Sequence, residues 1–141
     1  MLPLRHASRW RIAGLALLLL VLAATLMPAI WFWPQRVQLA AWFINADKWL
    51  HAFTFAVLAI WFSGQYRPRS YWRIAAGLLA FGVLIEAVQR LVSYRSAEGL
   101  DIVADAVGIL VGLLIAAAGV GGWSMRVENW LVQRDEEVDF D

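Results

Sequence analysis

The chain contains no cysteine, which excludes disulfides and thiolate metal sites and leaves the redox compartment open. Charge is also scarce. Only 16% of the 141 residues are Asp, Glu, Lys or Arg, whereas soluble domains carry about a quarter. The arginines are dispersed at the ends of apolar runs rather than gathered on one polar face, so nothing indicates nucleic-acid binding. No Ser or Cys nucleophile motif, phosphate-cradling glycine loop or paired-histidine metal spacing is present. No long-period repeat divides the chain. The net charge of +1 means little, because cations and anions occupy different places.

What the chain has is apolar sequence: 62% of residues are hydrophobic and the mean hydropathy is +0.63. These residues cluster into runs close to the ~20 residues that cross a bilayer. The length fits one domain. The expected fold is an all-α integral membrane four-helix bundle, with helices at 12–30, 49–64, 74–92 and 101–122. These form a transmembrane domain over residues 1–123, with residues 124–141 left as an acidic cytoplasmic tail. Its acidic end, Asp135-Glu136-Glu137-Val138-Asp139-Phe140-Asp141, reads as solvated and disordered.

A basic leader before an apolar run also describes a secretory signal peptide. The run Ile12–Ile30 is 19 residues, longer than the roughly 7–15 of a signal core, and Leu26-Met27-Pro28 is a poor cleavage site. A retained first helix is therefore expected. Pro28 and Pro34 bracket Trp31-Phe32-Trp33, a cluster suited to a headgroup boundary. Gln35–Ile44 is too short to span and suits an interfacial or shallow re-entrant segment. The second crossing is short, and works only if it begins near Trp49 with His51 in its first turn.

Cations give the orientation. Arg5, Arg9, Arg11, Arg67, Arg69, Arg73, Arg126 and Arg134 fall on the leader, the second–third loop and the tail. The other two loops hold only Arg36, Lys48, Arg90 and Arg95. The positive-inside rule then places both termini in the cytoplasm. Trp10, Trp61, Trp72 and Trp123 fall at the inner boundary, and Trp31, Trp33, Trp42 and Trp49 at the outer one.

In that topology three helices bring polar ends to one leaflet: Asp47, Lys48 and His51 from the second, Glu86, Gln89 and Arg90 from the third, Asp101 and Asp105 from the fourth. Glu86, Gln89 and Arg90 share a helix face by their i, i+3, i+4 spacing. Glu86 lies about 9 Å below Val92, within the hydrocarbon, where a charge costs several kcal/mol unless paired, hydrated or protonated. Ala104, Gly108, Gly112 and Ala116 form a small-residue ladder for close helix packing. Plainer roles compete: Asp101 as an N-terminal cap, Glu86–Arg90 as an intrahelical ion pair, and Asp47-Lys48 as a wet turn.

At these residues the sequence resembles the VanZ-like family of small membrane proteins. The matching elements are Asp47-Lys48-x-x-His51, Glu86-x-x-Gln89, Arg95, and Asp101-x-x-x-Asp105-x-x-Gly108-x-x-x-Gly112, in that order over residues 45–115. Asp105 is a departure, since the family pattern usually has Asn there. The resemblance implies a multi-pass protein of the bacterial cytoplasmic (inner) membrane. The family's namesake is tied to resistance against the lipoglycopeptide teicoplanin.

Three functions are compatible with these residues. The first is a pocket that binds or shields a lipid-linked cell-envelope precursor or lipoglycopeptide, using Asp47, Lys48, His51, Glu86, Gln89, Arg95, Asp101 and Asp105. The second is an intramembrane enzyme acting on a lipid-linked phosphate or ester. There His51 with Glu86 or Asp101 supplies the general base, or the carboxylates hold a divalent cation. The third is a small oligomeric transporter or channel assembled through Gly108 and Gly112. Membrane lipid is the expected partner, with a homo-oligomer open; no cofactor and no resident metal are called for.

Overall fold

A computed structural model describes residues 1–26, 46–91 and 99–138. All regular structure among these residues is helical. Helix α1 spans Ala7–Leu26, α2 Ala46–Ser63, α3 Tyr71–Arg90, α4 Gly99–Ile115 and α5 Trp123–Val138. A 3₁₀ turn at Pro68–Ser70 leads into α3, where Pro68 sits at the start of the turn and its fixed φ is no burden. Helix α4 runs on through a π-helical stretch, Ala116–Val120.

Three segments are long and apolar enough to cross a membrane: Ala7–Leu26, Pro68–Arg90 and Gly99–Val120. Helix α2 is not among them, because Asp47, Lys48 and His51 occupy its first two turns. Large apolar side chains face outward along α1 to α4, including Ile12 and Leu19, Phe53 and Val57, Val83, and Val107 and Leu114. Water would penalise such a surface; lipid would not. The inward faces meet in a core of Phe55, Leu58, Ala59, Ile74, Leu78, Ile85 and Ile109.

The tightest seam is between α2 and α4, and it is set by missing side chains. A Cβ added at Gly108 would collide with the backbone of Ala52. One added at Gly112 would lie 2.5 Å from the carbonyl oxygen of Ala56. The small-residue ladder of α4 thus packs on Ala52, Ala56 and Ala59 of α2 in the same chain, which occupies the seam that assembly with a second copy would have used.

Both bundle ends are tied. At one end the rings of Trp10, Trp61 and Trp123 pack together with centroids 5.2, 5.3 and 5.8 Å apart. There the Leu2 N–H donates to the Gln65 carbonyl at 2.9 Å, and the Trp123 indole N–H to the Ile60 carbonyl at 3.1 Å. At the other end the Gln89 amide donates to the Thr25 carbonyl at 3.3 Å. Helices α1 and α3 therefore run parallel, and α2 returns the chain between them.

The helix bounds differ from expectation in ways the chemistry explains. Helix α1 begins at Ala7, so Arg9 and Arg11 lie on the helix and not in a leader before it. Helices α2, α3 and α4 each begin two or three residues earlier than 49, 74 and 101. Helix α4 ends where Gly119 and Gly122 take positive φ (131° and 74°), a region that favours glycine. Arg126 then reaches back to the exposed carbonyls of Gly119 at 2.9 Å and Val120 at 2.7 Å, where a cation suits a helix C-terminus. The expected interfacial segment 35–44 lies outside the described residues.

Residues Trp123–Val138 form a helix, which takes in positions 135–138 of the acidic end that was expected to be disordered. Its anchor is Glu128, which is buried and accepts from the backbone N–H groups of Arg5 (2.7 Å) and His6 (3.0 Å) and the Trp10 indole (2.9 Å). Burial alone would raise this carboxyl's pKa. The three donors, with His6 beside them, outweigh burial and hold it below the ordinary carboxylate value.

The close α2–α4 approach is testable. Gly108→Ala should destabilise the protein by roughly 1–3 kcal/mol, because the backbone it meets cannot give way. Gly99→Ala, where a Cβ meets no atom of the described residues, should leave thermal unfolding in detergent unchanged or slightly improved. Equal midpoints for the two variants would refute the contact.

Candidate functional site

The site grows out of the α2–α4 seam. With Gly108 against Ala52, the side chains just before them, His51 on α2 and Asp105 on α4, are brought together. His51 Nδ1 and Asp105 Oδ1 lie 2.9 Å apart, both buried. With Asp105 ionised, the ring N–H is the donor. Room for the Asp105 carboxylate comes from α3, where a Cβ at Gly82 would strike it. Lys48 stands 3.9 Å from Asp101 and 3.3 Å from Asp47. Helix α3 contributes Gln89 and Glu86, both buried. Neither carboxylate oxygen of Glu86 has a hydrogen-bond partner among the described residues. Arg90 approaches it no closer than 3.8 Å, with its side chain 63% exposed.

The expected residues therefore converge, with three adjustments. His51 is hydrogen-bonded to Asp105, a pairing that the expectation, which set Glu86 or Asp101 beside His51, did not include. Asp101 lies within the first turn of α4, which starts at Gly99; it is buried near Lys48 and is not the residue before the helix. Asp47 is exposed and Lys48 half-buried at the rim, while Arg95 lies outside the described residues. The cluster is packed rather than hollow. Two clefts elsewhere, one along α1, α2 and α3 and one between α3 and α4, are lined mainly by apolar side chains. No three His, Asp or Glu side chains gather as a metal site among the described residues.

Residues that sequence reasoning missed are small ones. Gly82 is four residues before Glu86 on the same face, and a glycine inside an apolar helix was the available signal. Ala52 and Ala56, also four apart, mark the matching face of α2.

The paired groups can share or relay a proton, orient the imidazole, and accept donors from a polar headgroup. Glu86 is the group with capacity to spare. No protein-family model matches the sequence, and no curated protein or solved structure matches it. The resemblance to the VanZ-like family accordingly rests on its ordered motif residues alone.

The buried pair makes a thermodynamic prediction. His51→Ala or Asp105→Ala should each cost up to about 3–5 kcal/mol, since either breaks a buried hydrogen-bonded pair. The double variant should cost little more than one of them, as measured by unfolding in detergent. Additive losses would show that the two side chains do not interact.

Proposed function

We propose that the chain is a multi-pass protein of the bacterial cytoplasmic membrane, related to the VanZ-like family, with both termini inside. The polar cluster then lies toward the outer leaflet and takes the headgroup of an amphipathic molecule, a lipid-linked envelope precursor or a lipoglycopeptide. The protein holds or shields this molecule. Support for the orientation comes from the arginines at the end marked by Trp10, Trp61 and Trp123, which the positive-inside rule assigns to the cytoplasm. Since α1 and α3 are parallel and each is long enough to cross, α2 crosses as well in this reading. Its 18 residues reach about 27 Å, close to the ~30 Å of the hydrocarbon core.

The observation that carries the binding role is Glu86. A buried carboxylate with two idle acceptor oxygens is expensive at membrane depth unless a donor arrives. Hydroxyl, amine and amide groups of a glycosylated or peptidyl headgroup supply such donors. Lys48 at the rim and Arg95 suit phosphate or carboxylate, the guanidinium by a paired grip.

A second reading is favoured by the His51–Asp105 hydrogen bond, an imidazole held by a carboxylate as in general-base catalysis. In that case the bound lipid phosphate or ester would be turned over. The binding reading predicts that lipid mass spectrometry of the purified protein finds a glycolipid. Its yield should fall about tenfold or more in Glu86→Gln and Arg95→Ala, matching the loss of one charge-assisted hydrogen bond. Unchanged yield in both variants contradicts it. Turnover of a polyprenyl phosphate, lost in His51→Ala, would select the enzyme instead.

A further inference from the structure

The opposite end of the bundle holds a second feature that the polar cluster does not use. An apolar cleft of about 390 Å³ runs between α1, the end of α2 and the first half of α3. Leu18, Phe62 and Phe81 wall it, and Tyr66 and Arg73 stand at its basic end. Its volume falls within the ~300–1,000 Å³ of ligand sites.

Gly77 decides how the cleft is read. It lies inside α3, where glycine costs roughly 0.5–1 kcal/mol relative to alanine. Gly82, Gly108 and Gly112 answer that cost by close packing, since a Cβ at each would collide with a neighbour. A Cβ at Gly77 would meet no atom of the described residues within 4 Å. Protein packing does not require glycine there; the missing side chain keeps the cleft open. Arg73 is four residues earlier on the same face, and Phe81 four later. The cleft therefore extends at least about 12 Å along the helix from the guanidinium.

Charge defines the other half of the ligand. Arg67, Arg69 and Arg73 are exposed at this end, and none has a carboxylate partner among the described residues. Arg73 is steadied over the Trp72 ring at 5.3 Å. A guanidinium at the mouth of an apolar slot fits one molecule readily at hand in a bilayer: a phosphate on a hydrocarbon chain. We propose that the cleft is a binding site for one anionic membrane phospholipid, with an acyl chain along Gly77 and the phosphate on Arg73. The proposal rests on α1 and α3 crossing a bilayer. It is independent of what the His51–Asp105 end binds.

Native mass spectrometry of the full chain, delipidated in mild detergent and offered defined lipids, tests this. Phosphatidylglycerol should be retained one per chain and at least fivefold over phosphatidylcholine of the same chains. Gly77→Trp, filling the slot, should lose that retention at least fivefold while keeping its helicity and unfolding temperature. Arg73→Ala should level the two lipids, and Arg73→Lys should restore part of the preference. Equal retention of both lipids by the wild type would overturn the proposal, whether or not the tryptophan variant folds. So would undiminished phosphatidylglycerol in a folded Gly77→Trp, which would mean that the slot is closed to lipid. Displacement of the lipid by millimolar inorganic phosphate would also overturn it, by making the site one for a free anion.

Discussion

The architecture depends on two backbones coming closer than side chains ordinarily permit. In lipid there is no hydrophobic drive between helices, so association relies on contact area and on whatever polar bonds the contact allows. Gly108 and Gly112 on α4, set against Ala52 and Ala56 on α2, supply that area. The same register fixes the chemistry, because Ala52 opposite Gly108 leaves His51 opposite Asp105. Their hydrogen bond at 2.9 Å is thus a consequence of helix packing as much as a cause of it.

From this seam the molecule separates into two ends of different character. One end is basic, aromatic and closed, with three tryptophans packed together and Glu128 fastening the N-terminal residues to α5. The other concentrates carboxylates and a histidine in a setting where water is scarce. Stabilising hydrogen bonds are abundant at the first end. At the second, Glu86 is left with acceptors that the described protein does not fill. Such an imbalance is unfavourable for folding and favourable for binding, which is why function is assigned there.

Much of this was legible in the chain. Apolar runs of spanning length announced the helices, and the i, i+3, i+4 spacing of Glu86, Gln89 and Arg90 placed them on one face. The glycine ladder announced close packing but not its partner, because a small-residue stripe names no receiving helix. Asp105 shows the limit most clearly. Only the α2–α4 register pairs it with His51, and register is a tertiary property that spacing along one helix does not contain. Helix α5 was hidden for another reason. Its acidic end suggested a solvated tail, whereas Glu128 is held by donors more than a hundred residues earlier. Gly82 and Gly77 look alike in sequence, yet one makes room for a carboxylate and the other has no described neighbour within 4 Å of a Cβ.

The central claim is that α2, despite its polar first turn, carries the chain across the bilayer and separates the two ends. The natural absence of cysteine makes this directly measurable. Asp47→Cys and Arg69→Cys, both at exposed positions, would be treated in intact cells with a membrane-impermeant thiol reagent. The account predicts that position 47 reacts at once and position 69 only after the cells are opened. Reaction of both from the same side, or of position 69 alone from outside, would contradict it.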